Sequence, residues 1–427
     1  PMKRAQLLVT LLPIATLAAC AHTPVDLSAC NLPMQRLVLP EPAPTANAAG
    51  FTAPRPPATG YEAMVEAALA PPPPAPGGFA TPMPITALFN SGGSQNGAFG
   101  AGFIDEWRVG GGDQLPAFRV VTGISTGALI GTTAFTGASD RAVAGYTINA
   151  ESDLLDVKAR GLISQVRAGA VGSLDPLRRR LDASLDDPLL TAIANADAQG
   201  RKFLVGVVDA REGEAYAIDM TALAARWKAD PASRARTKQC YIEALVASSS
   251  VPFAAPPVYI DGRLLIDGGA RFGVFAAAAD SGVARASANA TAAGTPAPVA
   301  FVIVNGKLEI EPQCRFDETT GSDGKKSCPA IGTLKKWNIL ELGFRSVDIL
   351  TNQIYRFSAR EAGAKANFVR INTDAPDHPY NGQTCSKWRA QDKAANPPPV
   401  QFHPLEMRCL IDYGRTRART EKWWTKY

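Results

Sequence analysis

Two glycine-bearing turns, each set between a short apolar run and a helically spaced segment, restrict the folds open to this chain. Ile85 to Asn90 is apolar and runs into Ser91-Gly92-Gly93-Ser94-Gln95-Asn96-Gly97, after which Ala98 to Trp107 has helical spacing. Phe118 to Thr122 is a second β-branched run; it ends at Gly123-Ile124-Ser125-Thr126-Gly127 and is followed by Ala128 to Phe135. Strand, turn, helix, twice in succession, is the order of a mostly parallel sheet with crossover helices, so the fold class is α/β. Further strands are expected at Lys202 to Asp209, Ala215 to Asp219, Val258 to Ile260, Arg263 to Ile266, Ala300 to Val304 and Ala366 to Ile371. Helices are expected at Pro176 to Ser184, Gln239 to Ser249 and Leu334 to Ala362, the last with an apolar stripe of Leu340, Phe344, Val347, Ile354 and Phe357. Ala276 to Pro298 and Glu311 to Ala330 read as surface insertions.

Outside that core the composition changes. Of the 34 prolines, 12 fall between Pro33 and Pro76, too many for helix or sheet interior. Residues 21–78 are therefore expected to be a tether with one short helix, Tyr61 to Ala70, ahead of a domain over 79–375 and a C-terminal extension over 376–427. Met2-Lys3-Arg4, the apolar stretch Ala5 to Ala19 and Cys20 have the layout of a signal peptide, and Leu17-Ala18-Ala19-Cys20 resembles a bacterial lipobox. The expectation is a lipoprotein of the cell envelope, acylated at Cys20 and held on the membrane by that anchor. Ala21, where inner-membrane retention favours aspartate, points to the outer membrane.

Six cysteines follow Cys20, an even number that suggests disulfides in an exported chain. The shortest loops pair Cys314 with Cys328 and Cys385 with Cys409, which leaves Cys30 with Cys240. No Cys-x2-Cys pair occurs and the three histidines are scattered, so no metal or other cofactor is expected. A net charge of +5, with no basic run longer than Arg178-Arg179-Arg180, gives no footprint for nucleic acid. The oligomeric state is left open.

The chemistry concentrates in three segments. Gly92, Gly93 and Ser94, ahead of a helix, can turn backbone N–H groups towards an anion at the positive end of that helix. In Gly123 to Gly127, two glycines permit the sharp strand-to-helix turn that lifts a serine hydroxyl, here Ser125, out at the carboxyl edge of a sheet. A serine nucleophile needs a base. Ser125, Asp267 and His378 or His403 have the chain order of an α/β-hydrolase, but residues 79 to 124 leave room for only two strands before the elbow. Asp377-His378-Pro379 and Phe402-His403-Pro404 also read as solvated loops. The remaining candidate is Asp267, at the end of the apolar strand Leu264-Leu265-Ile266 and ahead of Gly268-Gly269. Asp261-Gly262, between two short strands, reads as a hairpin turn.

These three segments, in this order, resemble the patatin-like phospholipase family, with its glycine-rich oxyanion loop, its G-x-S-x-G elbow and its later D-G-G. The resemblance extends to Leu174-Asp175-Pro176-Leu177, to Phe203 through Asp209, and to Ala247-Ser248-Ser249-Ser250-Val251-Pro252. It implies a three-layer sandwich with helices on both faces of the sheet, a Ser125–Asp267 dyad without histidine, and an oxyanion hole at Gly92, Gly93 and Ser94. Gly97, Gly123, Gly127, Gly268 and Gly269 are the motif glycines, and lipid or phospholipid esters the implied substrates. Two departures stand out: Ser94 replaces the third glycine of the loop and Asn96 its basic residue. The altered loop keeps a second expectation open, a non-catalytic binding lipoprotein; a Ser-His-Asp esterase is the third. Leu154 to Leu174 is expected to be a helix packed on the sheet or a lid.

Overall fold

The computed structural model describes residues 27–38, 60–71, 85–110, 115–157, 170–310, 319–320, 326–327, 339–363 and 366–420. The expected leader with Cys20, the pair Cys314 with Cys328 and most of the proline-rich stretch lie outside the described residues. The sheet strands are β1 (Met34–Arg36), β2 (Thr86–Asn90), β3 (Val120–Ile124), β4 (Lys202–Asp209), β5 (Glu214–Asp219), β6 (Val258–Ile260), β7 (Arg263–Asp267), β8 (Val299–Val304) and β9 (Asn367–Arg370). Their order is β1-β5-β4-β3-β2-β8-β9, with β7 beside β4 and β6 beside β7. The five strands from β4 to β9 pair in parallel, and β1, β5, β6 and β7 add antiparallel pairs on the β4 side.

The helices are α1 (Gly60–Ala68), α2 (Gly97–Val109), α3 (Thr126–Thr136), α4 (Ser139–Tyr146), α5 (Asp175–Ser184), α6 (Asp187–Ala198), α7 (Met220–Ala229), α8 (Arg234–Ser248), α9 (Ala276–Ala292), α10 (Ile339–Gly363), α11 (Cys385–Lys393) and α12 (Pro404–Arg419). They cover both faces of the sheet. Phe99, Ile130, Leu190 and Leu245 belong to one core, and Val65, Phe275, Ala279 and Tyr355 to the other. Every residue of β2 and β3 is buried, as expected of parallel strands covered on both sides. The α/β class and the flanked sheet thus match the sequence expectation.

One local expectation holds and several change. The Val258-to-Ile266 hairpin forms with Asp261 at φ 53° and Gly262 at φ 74°, the two positive φ values that a two-residue hairpin turn requires. Parts of the proline-rich segment join the folded body: β1 pairs with β5, and Tyr61, Val65 and Leu69 are wholly buried. Ala276 to Pro298 is not a surface insertion. Its alanines 278, 279, 286 and 290 are buried, and Gly282 comes so close to α1 that a Cβ there would sit 2.6 Å from the Glu62 carbonyl. A run of alanines looks like a loop to a hydropathy pattern but suits a closely packed helix pair.

The long helix near residue 350 also turns a different face inward. Phe357 is 60% exposed, whereas Tyr355, Ser358 and Ala359 are buried. The ring of Tyr355 needs the space above Gly273 and Gly306, where a Cβ would stand 3.1 Å and 2.6 Å from its Cδ1. Cys30 pairs with Cys240 and Cys385 with Cys409.

Candidate active site

The register on β4 brings the two expected chemical groups together. Strand β3 runs parallel to β4 and ends with Ile124 opposite Gly206; β7 runs antiparallel and ends with Asp267 opposite Val207. Their carboxyl ends therefore meet tip to tip along one edge of β4, and Ser125 is the next residue after Ile124. Ser125 adopts φ 54°, ψ −127°, a strained conformation for a residue with a side chain. Both flanking glycines are required by space: a Cβ on Gly123 would lie 2.3 Å from the Gly127 carbonyl, and one on Gly127 would lie 2.4 Å from the Ser91 carbonyl. The Ser125 N–H donates to Ser248 Oγ at 2.9 Å, and that hydroxyl donates to the Gly206 carbonyl at 2.7 Å. The elbow is thus pinned to β4 through α8.

Asp267 is 3% exposed and Ser125 is 6% exposed. The Gly269 N–H donates to Asp267 Oδ1 at 2.7 Å, and the Ser125 side chain is near enough to Asp267 to favour its charged form. Burial pushes the Asp267 carboxyl up to about 7; the nearby Ser125 hydroxyl and the Gly269 N–H oppose that rise without cancelling it. A carboxyl poised there is about half ionised at neutral pH and basic enough to take a hydroxyl proton in a transition state.

The glycine-rich turn stands on the other side of Ser125. A Cβ on Gly92 would lie 3.3 Å from the Ser125 Cβ, and one on Gly97 would lie 1.8 Å from Thr126 Oγ1, so the loop, the start of α2 and the start of α3 converge. Gly93 has φ 151° and is pressed against Asn305, 2.7 Å from where its Cβ would be. Ser94 has φ 53°. Ser91 Oγ accepts from the Asn305 N–H at 2.7 Å, and the Ser91 carbonyl accepts from Asn305 Nδ2 at 3.0 Å, fixing the loop to the end of β8.

From Ser125 and Ser94 a cavity of about 530 Å³ extends between α3, α4 and α5. Its wall is largely apolar, with Leu154, Leu155, Leu174, Leu177, Leu189 and Phe402 among the lining residues. Leu154, Leu155 and Leu174 come from the segment expected to be a helix or a lid; 158–169 lie outside the described residues. Among the described residues, no group of three or more His, Cys, Asp or Glu side chains could hold a metal ion, and no helix is long and apolar enough to cross a membrane.

The two histidines have other partners, and neither is a solvated loop residue. His378 Nε2 is 2.9 Å from Asp412 Oδ2 and its ring packs edge-on against Tyr413. His403 is 4% exposed at the start of α12, with Nδ1 3.0 Å from Gln95 Oε1. Burial, with the charges of Arg389 and Lys393, lowers its pKa to about 4. The loop-like Pro neighbours concealed that the C-terminal extension folds back over the glycine-rich turn.

Sequence reasoning also missed Tyr355. Its hydroxyl would stand 2.1 Å from a Cβ on Gly92 and 3.5 Å from one on Gly269, so it fills the space between the loop and the aspartate turn. Burial and the nearby Asp267 charge raise its pKa well above the usual tyrosine value, which keeps it a neutral phenol. Ser248 was legible only as one of three serines in a row.

Residues 88–280 match the model of a family described as patatin-like phospholipase. The match spans the glycine-rich turn, Ser125 and Asp267. No curated protein matches the chain closely enough to count as a relative.

Proposed function

We propose that this chain carries a patatin-like serine acyl hydrolase domain in which Ser125 is the nucleophile and Asp267 the general base. The family match over residues 88–280 implies lipid acyl hydrolysis. The observation that carries the residue assignment is the meeting of β3 and β7 end to end along β4, which sets Ser125 beside a buried Asp267 carboxyl raised to about 7. Asp267 takes the hydroxyl proton as Oγ attacks the acyl carbonyl, and the negative charge moves to the carbonyl oxygen. Backbone N–H groups of Gly92, Gly93 and Ser94, beside the start of α2, receive that charge; one such donor is worth about 10² to 10³ in rate. On collapse, the protonated Asp267 returns its proton to the departing alcohol. Water then attacks the acyl-enzyme, giving a proton to Asp267, and as the acyl–oxygen bond breaks Asp267 passes that proton to Ser125 Oγ.

The cavity supports a lipid substrate, since its leucines can take an acyl chain out of water at about 0.8 kcal/mol per buried methylene. On this reading, acylation at Cys20 holds the domain at the outer membrane and within reach of membrane lipids. The test is hydrolysis of phospholipid vesicles and of p-nitrophenyl esters by the wild type, Ser125→Ala and Asp267→Asn. Activity lost in both variants with folding intact supports the proposal. A wild type that hydrolyses neither substrate, or an active Ser125→Ala, overturns it and leaves a binding protein or a different nucleophile.

A further inference from the structure

The glycine-rich turn departs from glycine at Ser94, and Ser94 nevertheless occupies the left-handed region, φ 53°, that glycine enters freely and other residues enter at a cost. Something must hold it there. The side chain of Gln401 does so directly: its Nε2 donates to Ser94 Oγ at 2.9 Å. The next residue is gripped as well. Gln95 Oε1 accepts from the His403 backbone N–H at 2.9 Å and lies 3.0 Å from His403 Nδ1, while Gln95 Nε2 donates to Glu406 Oε2 at 2.9 Å.

The gripping segment is itself fixed. Glu151 accepts the N–H groups of Val400, Gln401 and Phe402, and Asp392 accepts those of Leu405 and Glu406. Helix α12 lies on α2 with no room for a methyl group between them: a Cβ on Gly102 would be 2.0 Å from the Ile411 carbonyl, and one on Gly414 would be 2.1 Å from the Phe99 carbonyl. The Cys385–Cys409 disulfide closes the extension onto itself. All of the gripping residues from Val400 onward lie beyond the family match at 88–280.

We propose that Gln401 is a positioning residue of the oxyanion hole, with His403 and Glu406 acting through Gln95, so that the C-terminal extension compensates for the glycine missing at position 94. The inference rests on the hydrolase reading above. It predicts an unusual order among variants. Gln401→Ala and Ser94→Ala each leave a Cβ at position 94 with no anchor and lower kcat about 10- to 100-fold with little change in KM, as expected when a transition-state donor is displaced. Ser94→Gly needs no anchor and is more active than Ser94→Ala, and adding Gln401→Ala to it changes kcat less than threefold.

Ester hydrolysis by these four variants, with melting temperatures to confirm folding, is one measurement; amide hydrogen exchange over residues 91–97 is the other. Exchange is expected to quicken in Gln401→Ala and Ser94→Ala but not in Ser94→Gly, whether or not the chain hydrolyses esters. Faster exchange in a chain without esterase activity would sink the hydrolase reading and keep the clamp. An active wild type with unchanged kcat and exchange in Gln401→Ala, or an equal Gln401→Ala loss in the Ser94→Gly background, would overturn the clamp.

Discussion

Replacing Asp267 by asparagine should make the folded chain more stable in alkaline buffer, even though it removes the proposed base. The carboxyl is 3% exposed, and burial holds its pKa at about 7. The unfolded chain would titrate it near 4, so the native state binds this proton more tightly than the unfolded state does. A folded pKa above the unfolded one contributes stability that is complete below pH 4 and lost as the pH rises through 7. At 1.36 kcal/mol per unit, the gap amounts to about 4 kcal/mol once the buried carboxylate is fully charged. Asparagine keeps an acceptor for Ser125 and the Gly269 N–H but carries no charge. Its advantage should therefore approach about 4 kcal/mol above pH 8 and shrink to about 1 kcal/mol near pH 4.5. Urea unfolding of wild type and Asp267→Asn at both pH values measures this. A difference that is the same at both, or a variant less stable at pH 8.5, would refute the claim that a strained buried carboxylate sits here. The expected gain is a stability cost accepted for function.

The same titration sets the rate: kcat/KM should rise with pH to a plateau above about 7 and fall to about a tenth of it one unit below, because only the ionised carboxyl accepts the proton. Gly97→Ala should abolish activity, since its Cβ would collide with Thr126 Oγ1 and part the starts of α2 and α3; circular dichroism checks that the fold persists. Leu177→Trp should shorten the preferred acyl chain in a p-nitrophenyl ester series by filling the cavity, with butyrate little affected. Cys20→Ser should abolish incorporation of labelled palmitate and release the protein from membranes on fractionation.

How much could be read from the sequence depended on how local the determining contacts are. Gly123 to Gly127 and Asp267-Gly268-Gly269 announce themselves because the turns they make use residues adjacent in the chain. What brings Ser125 to Asp267 is not local: it is the shared register on Gly206 and Val207 of β4, which no pattern in those two segments encodes. Tyr355, Gln401 and His403 reach the site from the far end of the chain, and their flanks look like an amphipathic helix face and a proline-rich loop. Met34–Arg36 was hidden by the prolines around it, and although α1 was legible as a short helix its packing was not: Tyr61, Val65 and Leu69 are as deeply buried as any strand residue. Helix α9 shows the opposite error, because its alanines carry little hydropathic signal while permitting the approach to α1.

Hydrolysis requires Ser125 to be activated where Gly92 to Ser94 face it, and an adduct would show this most directly. A crystal structure after treatment with a long-chain alkyl fluorophosphonate should place phosphorus on Ser125 Oγ, a phosphoryl oxygen against the backbone N–H groups of the glycine-rich turn, and the alkyl chain among Leu154, Leu174 and Leu177. Phosphorus on another residue, or a phosphoryl oxygen directed away from that turn, would contradict it.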